Sequence, residues 1–206
     1  WSNTMKQALI IFSLSIMLIT ACSSNNTAKT QYYLLNSPTL NKASDNNNNN
    51  KPVVIINLLE LPEYLKQASL VLQLSEHQLH YAHFHMWAEP LQMSITEGLI
   101  QDLNAIDNHH NYMPVLNPQQ VKSTTEVILK INAFHSTHQS QAILTGRYWL
   151  KEKNNNNAVK VHNFTLTADL NANGYPHAVE KMRTVITELA NDISKNIAVD
   201  TLHTAN

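Results

Sequence analysis

Cysteine occurs once in these 206 residues and glycine three times. A single thiol excludes an intrachain disulfide, a paired-cysteine zinc site and a CxxC redox centre. Glycine at 98, 146 and 174 alone excludes the glycine-dense loops that cradle phosphates, and no GxSxG nucleophile turn occurs. Charged residues make up 14% of the chain and the net charge is −1, so there is no basic footprint for nucleic acid. The longest greasy run, Ala8 to Ile19, falls well short of the roughly 20 apolar residues that cross a bilayer as a helix. Asparagine, glutamine, serine, threonine and eleven histidines fill the space left by charge. The length beyond residue 21 suits one domain with its own core, residues 31–206, after a polar tether at 22–30.

The lone cysteine follows that greasy run directly. Met5 reads as the start of a signal, with Trp1 to Thr4 upstream of it. Lys6 supplies a short positive segment, and Ala8 to Ile19, interrupted only by Ser13 and Ser15, has the length of a signal-peptide apolar region. The tetrad Ile19-Thr20-Ala21-Cys22 resembles the bacterial lipobox. That resemblance implies cleavage between Ala21 and Cys22, with residues 1–21 as the signal peptide and a diacylglycerol on the Cys22 thiol. It also explains a thiol that would otherwise be a reactive orphan in an exported chain. One acyl chain binds a membrane marginally, at about 0.8 kcal/mol per buried CH₂, whereas two or more anchor stably. Ser23 stands where an inner-membrane retention signal carries Asp, which by analogy with lipoprotein sorting points to the outer membrane. An ordinary secretory signal with an accidental cysteine, or an uncleaved anchor, is the alternative. Beyond the covalent lipid, no cofactor is expected.

Past the tether, "QYYLLN" (31–36) reads as a first strand, followed by a loop ending in an asparagine tract. "PVVIINLLE" suits a strand buried on both faces, and Pro62 ends it. "SLVLQLSE" and "HQLHYAHFHMW" form two further strands with a tight turn near Glu76 to Gln78. Pro90 fits the first turn of a helix, where its missing N–H costs nothing, and Leu91, Ile95, Leu99, Leu103 and Ile106 keep one face apolar. Asn108 to Asn111 breaks that helix. Thr125, Val127, Leu129, Ile131 and Ala133 alternate as a half-buried strand should. "QAILTGRYWLKEK" and "AVKVHNFTLTADL" follow as a hairpin across the second asparagine tract, Asn154 to Asn157. Both tracts read as loop expansions. After the turn "NANGY", Pro176 opens a last helix with the stripe Val179, Met182, Ile186, Leu189, Ile193 and Ile197. The order is strands then helix, twice: an α+β fold with a mainly antiparallel sheet and two principal helices packed on it.

Histidine is the most conspicuous chemistry. "HQLHYAHFH" carries His77, His80, His83 and His85, and imidazole is the commonest metal ligand. In a strand, His77, His83 and His85 share a face while His80 points away. His83 and His85 are weak metal candidates, since no acidic or thiol partner is fixed by spacing and neither HExxH nor paired CxxC occurs. The plainer reading is a set of strand histidines in a chain that uses the residue freely. Glu60, Glu63, Glu76 and Glu89 are scattered around strand ends, as solvated carboxylates are, and propose no reaction. The sequence does not read as an enzyme. Trp87 in "WAEPL" packs a corner or anchors a partner, since Trp and Tyr carry much interface energy. With Tyr64 in "LPEYL" and Glu89, it is a candidate partner-facing residue. The last helix mixes both charges on its polar face and reads as core rather than membrane-surface.

With these segments placed, the chain resembles the paraquat-inducible protein C/YmbA-like family, ABC-type transport auxiliary lipoproteins of Gram-negative bacteria. The matching pieces are the lipobox at Cys22, "YYLL" (32–35), "LPEYL" (61–65), "LVLQLSEHQL" (70–79), "WAEPL" (87–91), "LIQDLN" and "NGY" (173–175). The asparagine tracts and the histidine-rich strand depart from it. The resemblance implies a non-enzymatic periplasmic domain held at the outer membrane by acylated Cys22. It further implies docking to an MCE-type (mammalian cell entry) inner-membrane protein that moves phospholipid-like cargo and supports envelope integrity. Several copies around a channel end would form a homo-oligomeric ring. Two other classes compete: a histidine-rich periplasmic metal-binding lipoprotein, and a structural or chaperone lipoprotein for an outer-membrane β-barrel.

Overall fold

The computed structural model describes residue 1 and residues 28–37, 51–115, 125–152 and 159–204. Ala21, Cys22 and both asparagine tracts lie outside the described residues. Eight strands form one mixed, mostly antiparallel sheet: β1 (Gln31–Tyr33), β2 (Val53–Glu60), β3 (Ser69–Ser75), β4 (Gln78–Trp87), β5 (Asn111–Pro114), β6 (Thr125–Ser136), β7 (Gln141–Glu152) and β8 (Val159–Asp169). Helix α1 (Leu91–Ile106) follows β4 and α2 (Tyr175–Thr204) follows β8, giving the strands-then-helix order twice. No helix among the described residues is long and apolar enough to cross a membrane.

Strand β6 organises the sheet. One edge pairs along its length with β7, antiparallel, and β7 pairs with β8 in the same sense. The other edge is shared: Thr125 to Lys130 run parallel to β2, and Ser136 meets Leu72 of β3. Between them the chain leaves the sheet as a single 3-10 turn, Glu63–Leu65. Strand β3 continues into the antiparallel hairpin with β4, and β1 lies parallel to β4 at the outer edge.

Both helices cover one face, because alternation sends the branched and aromatic side chains there. Val54, Ile56 and Leu58 of β2, Val127, Leu129 and Ile131 of β6, and Leu144, Tyr148 and Leu150 of β7 are all buried. The helices meet them with stripes spaced three or four apart: Leu91, Ile95, Leu99 and Leu103 on α1, and the six positions from Val179 to Ile197 on α2. Tyr148 keeps its polar end satisfied inside this core. Its hydroxyl donates to Asp192 Oδ2 at 2.7 Å and accepts from Asn196 Nδ2 at 2.7 Å.

Several expectations need correcting. Strand β2 buries only alternate residues, with Val53, Ile55 and Asn57 half-covered, because the helices pack on one face alone. Ile106 is exposed as the last residue of α1. Ala133 is half-buried and Phe134 fully buried, because a bulge between Ile131 and Ala133 reverses the alternation. The first strand stops at Tyr33, and Leu34 to Asn36 run on as a strap over α1. There Asn36 Nδ2 donates to the Ser94 carbonyl at 2.7 Å. Strand β5 was not anticipated. It is four residues long and ends in proline, which an edge strand tolerates.

A polar knot ties β5 to the end of α1. Asn104 exchanges two 2.9 Å hydrogen bonds with the Tyr112 backbone, and the Tyr112 hydroxyl donates to Asp107 Oδ2 at 2.6 Å. His110 Nδ1 lies 2.7 Å from the same oxygen, and the His109 N–H donates to Oδ1. Burial works to raise the Asp107 pKa, but the bonds from Tyr112, His109 and His110 outweigh it and hold the carboxyl below its ordinary value. Burial and the Asp107 contact push the Tyr112 phenol far up.

Candidate docking cleft

The segments "LPEYL" and "WAEPL" sit at opposite ends of the β3–β4 hairpin in sequence and meet in space. Pro62 stops β2, since it has no N–H to offer the ladder, and sets the 3-10 turn with Leu65 N–H on its carbonyl at 2.9 Å. Leu61 and Leu65 turn inward and are buried. Glu63 and Lys66 pair across the turn's solvent side. Tyr64 lies over β6, its hydroxyl donating to the Asn132 carbonyl at 3.3 Å and its ring 5.9 Å from His135. Burial pushes the Tyr64 phenol up to about 12.

The second segment closes the other wall. The Trp87 N–H donates to the Ala68 carbonyl at 2.7 Å and the Ala88 N–H to Tyr33 at 2.8 Å, which pins the strand end. Glu89 accepts from the Ser94 hydroxyl at 2.8 Å, and Pro90 starts α1 with φ −56°. Gln92 Nε2 reaches back to the Leu58 carbonyl at 3.1 Å. Between the two walls lies an open cleft of about 500 Å³, floored by Leu61, Leu65 and Trp87 and edged by Lys66, Glu89 and Gln92. Its lining is mostly apolar, with a few polar groups at the edge, which suits a docked side chain or short apolar segment better than proton-transfer chemistry.

The three expected partner-facing residues divide accordingly. Trp87 is 6% exposed and serves as floor rather than protruding anchor, because the strand end turns its ring into the core. Glu89 is half-buried and holds the helix start, while Tyr64 is half-buried on β6, outside the cleft. Two exposed apolar side chains escaped sequence reasoning: Leu59, 61% exposed, and Met93, 54% exposed. Each neighbours a member of the Leu58–Gln92 hydrogen bond. Met93 lies off the apolar stripe of α1, and that was the available signal.

The histidines do not assemble. A bulge in β4 re-aims them: from the pair Ser69–Met86 to Val71–Tyr81, β3 advances two residues while β4 advances five. His80 and His83 therefore meet edge-on at 6.2 Å, correcting the expectation that His80 points away from the others. His85 stacks on Tyr175 at 3.6 Å, and its Nδ1 lies 2.8 Å from the Tyr33 hydroxyl. Among the described residues no group of three or more His, Cys, Asp or Glu is placed to hold a metal ion.

The fold is similar to that of solved proteins. The crystal structure of an uncharacterized protein matches with TM-score 0.68 at 19% identity, covering 82% of this chain and 99% of that one. A DUF330 protein from Xanthomonas campestris matches with TM-score 0.61 at 8% identity, over 88% of this chain and 94% of that one. A PelC dodecamer from Paraburkholderia phytofirmans gives TM-score 0.41 at 11% identity, over 70% and 86%. A comparison with curated proteins gave no match. The first two likenesses show the fold alone. The family model for the ABC-type transport auxiliary lipoprotein component matches residues 33–194, and the chain belongs to that family.

Proposed function

We propose that this auxiliary component of an ABC-type transport system is anchored through acylated Cys22 in the outer membrane, facing the periplasm. There it docks an MCE-type inner-membrane protein whose channel carries phospholipid-like cargo between the membranes. The family is a non-catalytic transport component, and docking is the work its geometry supports. One observation carries the reading: the two most recognisable segments converge on a single apolar-floored cleft. Lipid anchoring confines the domain to a surface and raises its effective concentration for a partner reaching that surface. Several copies around the end of a channel would make a closed ring.

The anchor is tested with Cys22→Ala at native abundance. The expected result is a folded periplasmic protein that no longer fractionates with the outer membrane, together with a weakened envelope. A normal envelope supported by the unanchored variant would refute the role.

A further inference from the structure

The turn end of the hairpin, remote from the cleft, exposes several apolar side chains. Toward the turn, Leu74, Leu79 and Tyr81 are each between 37% and 49% exposed, Leu74 on one face of the hairpin and Leu79 and Tyr81 on the other. Phe84, 48% exposed, lies farther along β4, and Tyr32, 68% exposed, is level with Met86 near the cleft end. From Leu74 to Phe84 the sequence carries a single charge, on Glu76, among serine, glutamine and three histidines. A solvated hairpin edge ordinarily carries more charge than this. Tyrosine and histidine beside leucine and phenylalanine, with almost no charge, are what a membrane–water interface selects.

The direction of the chain says what covers this surface. Strand β1 runs parallel to β4, with Gln31 level with His85 and Tyr33 level with Trp87. Followed backward from Gln31, the chain therefore heads toward Phe84 and the hairpin tip, away from the cleft. Eight residues, nine Cα–Cα steps, separate Gln31 from Cys22, a reach of at most about 30 Å fully extended. The eight residues of β4 from His85 to the turn at His77 span at most about 26 Å, less what the bulge takes up. A lipid on Cys22 thus lies within about one hairpin length of Gln31.

We infer that the tip of the β3–β4 hairpin, with Leu74, Leu79 and Tyr81, rests in the interface of the lipid leaflet that holds Cys22. This rests on the acylation reading above. The cleft, at the opposite end of β4, then faces away from the bilayer toward a partner arriving across the periplasm. The anchor supplies attachment, and the hairpin supplies orientation.

The test uses the acylated full chain in vesicles of phosphatidylethanolamine and phosphatidylglycerol containing a spin-labelled lipid. Acylated Cys22 is a blocked thioether, so Leu79→Cys carries the only thiol for a fluorescent label, with Met93→Cys as the control beside the cleft. The expected result is emission lost at position 79 and retained at position 93. Equal emission at both positions, or loss at 93 alone, overturns the inference. So does in-cell photo-crosslinking from position 79 to a protein or a second copy instead of lipid. The mass of the N-terminal peptide separates the two readings: an unmodified Cys22 removes the anchor and the inference with it. An acylated Cys22 with a bright position 79 removes the hairpin contact alone.

Discussion

Arg183 of α2 grips Asp102 of α1 with both terminal nitrogens, Nη2 lying 2.6 Å from Oδ1, and Thr187 donates to the remaining carboxylate oxygen at 2.8 Å. Both charged side chains are mostly buried between the helices. Removing the carboxylate leaves a guanidinium without its partner in a largely desolvated place. Asp102→Ala is expected to cost about 2 kcal/mol, within the range for hydrogen bonds to charged groups. At this chain length that lowers the unfolding midpoint by about 4–8 °C. A scanning calorimeter checks it, and an unchanged midpoint would make the clasp ornamental.

Gly146 on β7 faces Ile131 where the β6 bulge begins. A Cβ there would stand 2.2 Å from the Lys130 carbonyl oxygen and 2.8 Å from the Phe164 ring. The backbone of a central ladder cannot retreat as a flexible side chain can. Gly146→Ala is therefore expected to destabilise by about 2 kcal/mol or more, read as a lower urea midpoint. Unchanged stability would mean that the strands part more easily than the ladder implies.

Acid should act on the fold in two stages, both of the same sign. Burial holds His135 below its ordinary value of 6.5, against a weaker opposing bond to the Ser136 carbonyl. The unfolded chain therefore binds a proton that the fold refuses, and stability present above about pH 6.5 falls as pH drops toward the folded value. The lowered Asp107 pKa contributes stability above 3.8 that is lost as pH falls through its depressed folded value. His135→Phe should flatten the upper stage and leave the lower. Unfolding midpoints measured against pH check this, and an identical upper stage in the variant would contradict it.

The cleft predicts a split between stability and docking. Trp87→Ala opens a hole in the core and is expected to cost about 3–5 kcal/mol. Met93→Lys alters an exposed side chain and should leave the unfolding midpoint within about 0.5 kcal/mol of the parent. It should nevertheless reduce recovery of the transport partner in pull-downs at equal protein level. Full recovery with Met93→Lys would move the docking surface elsewhere.

Much of this architecture is legible in the sequence because helices here obey one period. The stripes of α1 and α2 were readable from Leu91 to Leu103 and from Val179 to Ile197, since each faces a single sheet surface. Strands were legible until a bulge reversed them, at Ala133 and again between Tyr81 and Met86, because local sequence does not mark where an extra residue enters a ladder. Strand β5 escaped because its four residues are recruited by β2 and by the Asp107 knot, not by their own propensity. At the site, "LPEYL" and "WAEPL" stood out, but their convergence depends on a hairpin folding between them. Trp87 as floor follows from that geometry alone, whereas Met93 was marked by lying off the stripe of α1.

The central claim is that the cleft end docks a membrane protein of an ABC-type lipid-transport system. It is tested most directly by placing a photo-crosslinking residue at Gln92, beside the cleft, in cells at native expression. Mass spectrometry then identifies what is captured with the chain. The account predicts an MCE-type inner-membrane protein among the captured partners, lost with Met93→Lys. Capture of an outer-membrane β-barrel in its place, or no partner at all, would contradict it.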